Sequence, residues 1–297
     1  MWILLVLFYG LMKGAREIVK KLAMTKNTVM EVLVIYTVIS FVFVIPQAPS
    51  AFGMETRFYL WIALKSFAIF VAWICGFYSL KKLPVGIYGI LDLSRVLFAT
   101  ASGVFFLHET LCISQVAGLL IVSSGLLLLR FKPSFMKRLL NVEEEIIISR
   151  EGQDSRVTVF YVILSFVNCI LNAFSGLLDK ILMKDITPNQ LQFWFMFFLL
   201  VYYLLFVLIK RIKISLSVFK NLWVYLMALM LIIGDKALFI ANADQASRIT
   251  VMTLIKQSAC LVTIAGGRLV FKEKNTPYKI FCAGVIICGI VLGIAFR

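Results

Sequence analysis

Residues 84–130 read PVGIYGILDLSRVLFATASGVFFLHETLCISQVAGLLIVSSGLLLLR, and residues 248–294 read RITVMTLIKQSACLVTIAGGRLVFKEKNTPYKIFCAGVIICGIVLGI. Shifted by 164 positions, the two stretches align without a gap. Ser94 meets Ser258, Leu97 meets Leu261, Ala101 meets Ala265, Gly103 meets Gly267, Glu109 meets Glu273, Gly125 meets Gly289 and Leu128 meets Leu292. Identities are cheap in an apolar background, but these are placed alike. Each Glu closes an apolar run, and each late Gly lies at the same distance beyond it, inside the next run. The second copy enters its last run through Thr276-Pro277, an N-cap residue followed by proline at the first helical position. Gly14 with Glu17, and Gly176 with Asp179, occupy similar places earlier in the two halves. The chain reads as an internal duplication, the first thing to test in a long apolar sequence.

Working outward, apolar runs fall at about 2–22, 29–46, 58–80, 84–107, 111–130, 157–182, 190–210, 222–243, 248–271 and 277–296. The chain of 297 residues is 62% hydrophobic and 15% charged, with mean hydropathy +0.97. Soluble domains are about half apolar and a quarter charged. A bilayer span needs about 20 apolar residues. The runs are continuous, unlike the alternating strands of about ten residues in a membrane barrel. Helices satisfy their own backbones in lipid. The expected fold is therefore all-α integral membrane, with ten transmembrane helices in two five-helix repeats, 1–130 and 157–297, joined by a linker at 131–156. An odd number of spans turns the second half upside down. Such inverted repeats place a pseudo-two-fold axis in the membrane plane and a substrate site near the midplane.

Several function classes drop out. The net charge is +15, yet the basic residues sit between apolar runs rather than on a soluble face, so no nucleic-acid partner is expected. Cys75, Cys112, Cys169, Cys260, Cys282 and Cys288 have no C-x-x-C spacing and read as small hydrophobes. The lone histidine, His108, and Glu109 do not extend to H-E-x-x-H, so no metal, cofactor or enzymatic site is expected. The Walker phosphate loop is missing as well. The opening Met1-Trp2-Ile3 reads as a retained span rather than a signal peptide.

Lys and Arg in the connections are lopsided. With ten spans, the side opposite the termini collects seventeen: Lys20, Lys21, Lys26, Lys81, Lys82, Arg130, Lys132, Lys137, Arg138, Arg150, Arg156, Lys210, Arg211, Lys213, Lys220, Lys272 and Lys274. The terminal side collects four: Arg57, Lys184, Arg248 and Arg297. Cytoplasmic loops retain positive charge. Both termini are therefore expected outside a cell membrane crossed many times, with the 131–156 linker in the cytoplasm.

A charge held inside a span faces a cavity or a partner, because lipid makes it costly. At about 1.5 Å per residue, Lys13, Lys65, Asp92, Arg95, Asp235, Lys236 and Lys256 all lie deep. Asp92 and Lys256 are repeat-equivalent. Asp92 and Arg95 share a helical face. Asp235 and Lys256 are expected to pair across neighbouring spans. Five deep cations against two anions favour an anionic ligand, with Arg95 suited to bidentate contact and lysines acting as point charges; the alternative for Lys13 and Lys65 is snorkelling to an interface. Asp92 and Asp235 are candidate proton carriers. Asn168 and Asn172 share a face, Tyr78 and Asn242 are repeat-equivalent, and Gln257 follows Lys256, so these join the candidate substrate site. Trp61, Trp73 and Tyr88 are either ligand-stacking or packing aromatics, and Asp179-Lys180 reads as an interfacial pair. Gly289-x-x-x-Gly293 serves either helix docking or a homodimer contact.

The stretch from Leu83-Pro84-Val85 to His108-Glu109-Thr110, then Gln115 to Gly118 and Ser124-Gly125, resembles the EamA-type repeat of the drug/metabolite transporter superfamily. Ser247 to Gly289 is similar, with Lys279 for Gln115 and Cys282 for Gly118. The resemblance implies ten helices, with spans 1–4 and 6–9 lining a cavity and spans 5 and 10 behind. It also implies a secondary-active carrier of small molecules working by alternating access. Many relatives keep their termini in the cytoplasm, opposite to the charge count here. The reading is a transporter of a small polar metabolite with an anionic group: an amino acid, a carboxylate or a phosphorylated compound. The alternatives are export of organic cations, amines or drug-like compounds, and flipping of a phosphorylated lipid head group.

Overall fold

The computed structural model describes residues 1–92, 94–107, 112–130, 155–273 and 276–295. His108, Glu109, Lys274, Arg297 and most of the expected linker lie outside the described residues. The described part is all-helical, 86% helix without strands. In chain order the helices are α1 (Trp2–Ala23), α2 (Val29–Val44), α3 (Thr56–Lys82), α4 (Val85–Asp92), α5 (Arg95–Leu107), α6 (Ile113–Arg130), α7 (Ser155–Leu182), α8 (Pro188–Lys210), α9 (Leu222–Ala243), α10 (Ile249–Lys256), α11 (Ala259–Phe271) and α12 (Thr276–Ala295).

Local chemistry sets the ends. Thr28 and Glu31 form a capping box at the start of α2, and Thr187 and Gln190 form another at α8, where Pro188 takes the first helical position. Pro46 cannot donate to the preceding turn, so α2 passes into a 3-10 segment, Ile45–Ser50. Pro84 ends α3 at Lys82.

Among the described residues, six segments are long and apolar enough to cross a membrane: Val29–Ser50, Thr56–Lys82, Val85–Phe106, Val159–Leu182, Pro188–Lys210 and Leu222–Ala243. Ile113–Gly125, Ala259–Phe271 and Pro277–Gly289 are shorter apolar helices. In α1 a run of charged residues faces inward together with Val6, Tyr9, Val19 and Ala23. Lys13, Arg16, Glu17 and Lys20 are buried, at helical spacing, while Leu4, Leu7, Phe8 and Leu11 are exposed. That is the arrangement lipid favours around a polar interior.

Two of the expected spans are broken. Where one helix was expected over 84–107, α4 stops at Asp92 and α5 starts at Arg95; over 248–271, α10 stops at Lys256 and α11 starts at Ala259. Around each break the backbone turns through i to i−3 hydrogen bonds: Ser94 N–H to Leu91 O and Leu97 N–H to Ser94 O in one, Ser258 N–H to Ile255 O and Leu261 N–H to Ser258 O in the other. Such a tightened turn inside a helix marks a hinge or a site.

The helices interleave. α1 packs along α9 and α11, α3 along α7 and α8, α4 against α11, and α6 against α12. Missing side chains allow two close approaches. A Cβ on Gly14 would stand 2.6 Å from the Ala259 carbonyl oxygen, and one on Gly289 would stand 2.7 Å from that of Gly118. Gly289 therefore docks α12 onto α6 within the chain, which settles one of the two roles its motif left open.

Candidate substrate site

Side chains from α1, α3, α5, α7, α8, α9 and α10 converge on a polar cavity of about 70 Å³. Its wall includes Tyr9, Arg16, Lys65, Trp73, Arg95, Asn172, Asp179, Phe195, Asp235, Phe239 and Lys256. Among the described residues, none of its lining comes from α6 or α12. The space admits a few water molecules and falls short of the roughly 300 Å³ at which small-molecule pockets begin.

The charges form a network. Asp92 bridges two cations: the Lys13 ammonium contacts one oxygen, and Arg95 Nη2 donates to the other at 2.8 Å. Lys65 lies 3.1 Å from Asp179 and 3.6 Å from the centre of the Phe195 ring. Arg16 and Asp235 meet only at 3.9 Å. Glu17 and Lys20 pair at 2.6 Å, with the Lys20 ammonium 4.6 Å from the Phe77 ring centre. Lys256 has the Tyr9 ring at 5.7 Å and, among the described residues, no carboxylate within 4.0 Å. Setting the Glu17–Lys20 pair aside, Lys13, Arg16, Lys65, Arg95 and Lys256 face Asp92, Asp179 and Asp235. The excess is two positive charges rather than the three expected.

The structure rearranges several expected partners. The Asp235–Lys256 pair does not form; α9 packs on α1 and α2, so Asp235 turns to Arg16 instead. Asp179 and Lys180 do not pair with each other. Asp179 crosses to Lys65, while Lys180 donates to the carbonyls of Asn242 and Asp244, each at 3.0 Å, and to Ser247 Oγ at 2.5 Å. Lys13 and Lys65 do not snorkel, being 5% and 2% exposed. Lys236 points away from this cavity, to Gln47 and Asn189. Tyr78 is 39% exposed, and Trp61 is exposed as well. Asn168 is buried beside the cavity, donating to Tyr88 Oη at 3.2 Å and accepting from Asn172 Nδ2 at 2.8 Å. Asn242 and Gln257 are buried, and neither lines the cavity.

Arg16, Asp179 and Ser175 are lining residues that the sequence reading did not place in the site. The 3–4 spacing of Lys13, Arg16, Glu17 and Lys20 is the signal that marks Arg16. Several buried donors in and around the site lack an acceptor among the described residues: Arg16 Nε, Arg95 Nε and Gln257 Nε2. Native interiors rarely leave such groups unpaired.

Above Val85, at the foot of α4, Glu273 accepts from the Val85 and Gly86 N–H groups at 2.5 and 3.1 Å and takes Lys279 Nζ at 3.1 Å. A carboxylate there satisfies orphan donors and complements the helix dipole.

The profile of the EamA-like transporter family matches residues 159–294. A solved crystal structure of a protein aligns at TM-score 0.69 and 12% identity, covering 99% of this chain and 96% of that chain. At that identity the likeness is one of fold alone. Comparison with curated proteins gives no match. The matched family comprises membrane transporters of small molecules, not enzymes. The chain is thus a multi-pass membrane protein whose residues 159–294 match the profile of the EamA-like transporter family.

Proposed function

We propose that the protein is a secondary-active carrier of the cell membrane, working by alternating access between two inverted five-helix halves, and that it binds a small polar metabolite through an anionic group. One observation carries the substrate class. Among the described residues, the cavity holds two guanidinium groups with buried, unpaired Nε donors and a lysine without a carboxylate partner. An acceptor-rich anion supplies what all three lack.

The inverted arrangement draws support from the helix ends. Adding 164 to the bounds of α4 and α5 gives the bounds of α10 and α11. The packing is reciprocal too: α1 on α9 matches α7 on α3, and α1 on α11 matches α7 on α5. In this reading both termini lie outside. The cavity then sits in the outer half of the membrane, since Tyr9, Lys65 and Asp179 are near the terminal-side ends of their helices. The linker side is sealed by α1 packed on α11 at Gly14, by Glu273 on the foot of α4, and by the Lys21 ammonium on the Leu83 carbonyl at 2.6 Å. A metabolite larger than a few waters enters as the outer walls part. One ring face that could hold an amine, that of Phe195, is already occupied by Lys65.

A thermal-shift panel of size-matched acids, zwitterions and amines tests the assignment. A ligand stabilises the protein by mass action. Acids are expected to raise the melting temperature and amines to leave it unchanged; the opposite pattern refutes the anionic class.

A further inference from the structure

Lys236 leads to a second site, away from the cavity. A groove of about 370 Å³ runs between α1 and α9, walled by Leu5, Phe8, Ile232, Ile233 and Ile240, with Lys236 and Gln47 as its polar end. Phe8, Ile233 and Ile240 are among the exposed large hydrophobic residues. In a membrane-spanning chain, that places the groove against lipid.

The polar end is built rather than loose. Lys236 Nζ donates to Gln47 Oε1 at 3.0 Å and to Asn189 Oδ1. Both amides are held by their other ends. Gln47 Nε2 donates to Gln192 Oε1 at 3.0 Å, and Gln192 Nε2 donates in turn to the Ile232 carbonyl at 2.8 Å. Asn189 Nδ2 donates to Ser50 Oγ at 2.8 Å. The two oxygens are therefore turned toward the ammonium by a fixed network. Both are neutral, and no carboxylate lies within 4.0 Å of Lys236 among the described residues. A half-buried full charge is left with one N–H to spare. Gln47 belongs to the 3-10 segment after α2, and Asn189 to the first turn of α8. The ammonium thus sits level with helix ends, where head groups lie.

We propose that this groove holds one resident glycerophospholipid of the leaflet on the side of the chain termini. Its phosphate takes the free N–H of Lys236, and an acyl chain runs inward along Phe8, Ile232 and Ile233. The charge of the phosphate complements the unpaired ammonium, and the apolar wall complements the chain. The lipid is a fixed companion of the fold rather than cargo, so the assignment stands apart from the central cavity.

Delipidated protein in detergent, titrated with dioleoylphosphatidylglycerol and followed by native mass spectrometry and by melting temperature, tests it. The wild type is expected to retain one more lipid than Lys236→Met and to gain a melting shift that Lys236→Met lacks, while Lys236→Arg behaves as wild type. Equal lipid retention by wild type and Lys236→Met overturns the site. An equal shift with dioleoylglycerol, which lacks the phosphate, overturns the head-group contact. An equal shift with glycerol 3-phosphate, which lacks the chains, overturns the acyl groove. Should Lys236→Met fail to fold, Ile233→Asp, on the acyl wall, is the second variant: it is expected to lose the lipid, and retention by it contradicts the proposal.

Discussion

Lys256 ends α10, where the last carbonyls of the helix favour a cation. The ammonium lines the cavity with no carboxylate within 4.0 Å among the described residues, which leaves it to meet a ligand. A charge-assisted hydrogen bond contributes about 1.5–3 kcal/mol. Lys256→Gln is therefore expected to weaken an anionic ligand by roughly tenfold or more, read by ligand titration, while the unliganded protein melts no lower than wild type. Asp92 is the opposite case. It is 6% exposed and sits between Lys13 and Arg95. Asp92→Asn leaves two buried cations facing each other and should cost about 3–5 kcal/mol, visible as a marked fall in melting temperature. The Asp92–Arg95 contact was legible in the sequence because residues so near in the chain stay within reach, here across the tightened turn between α4 and α5 rather than on one helix face. The Lys13–Asp92, Lys65–Asp179 and Arg16–Asp235 contacts were not, since they depend on which helices become neighbours and in what register. The expected Asp235–Lys256 pair failed for that reason: adjacency in the chain did not make α9 the neighbour of α10.

Hydropathy located the helices well, because lipid leaves a span no other way to satisfy its backbone. It could not show the breaks after Asp92 and Lys256, since neither Pro nor Gly punctuates them and the residues on both sides stay apolar. The repeat supplied the only hint, by aligning Ser94 with Ser258 where the helices turn. Packing at this scale is testable through two glycines. Gly14 is pressed against Ala259, whereas a Cβ on Gly176, in the cavity wall, would meet nothing within 4 Å. Gly14→Ala is expected to push α1 off α11 and destabilise by about 1–3 kcal/mol. Gly176→Ala should leave the melting temperature unchanged or raised, as alanine is the better helix former. Comparing the two melting curves checks both. Glu273→Gln keeps the shape of the cap on α4 and removes its charge, so a smaller fall, about 0.3–1 kcal/mol, is expected.

For the molecule as a whole, the proposed pair of inverted halves accounts for the polar residues buried along α1, and for one face of the charge network being open while its counterpart is packed shut. Composition and the duplication made the membrane fold legible; the walls of the cavity emerged only when helices far apart in the chain came together. In this account the cavity opens to the side bearing the termini. Gly176→Cys, in a background without the six native cysteines, is then expected to react with a membrane-impermeant thiol reagent from that side and to be protected by a bound anion. Labelling only from the linker side reverses the proposed orientation. The most direct test of the central claim is uptake or exchange by the wild-type protein in proteoliposomes, using metabolites matched in size and differing only in charge. The account predicts movement of the anionic members, abolished by Lys256→Gln in protein that remains folded. Movement of amines in preference to acids, or undiminished anion transport by Lys256→Gln, contradicts it.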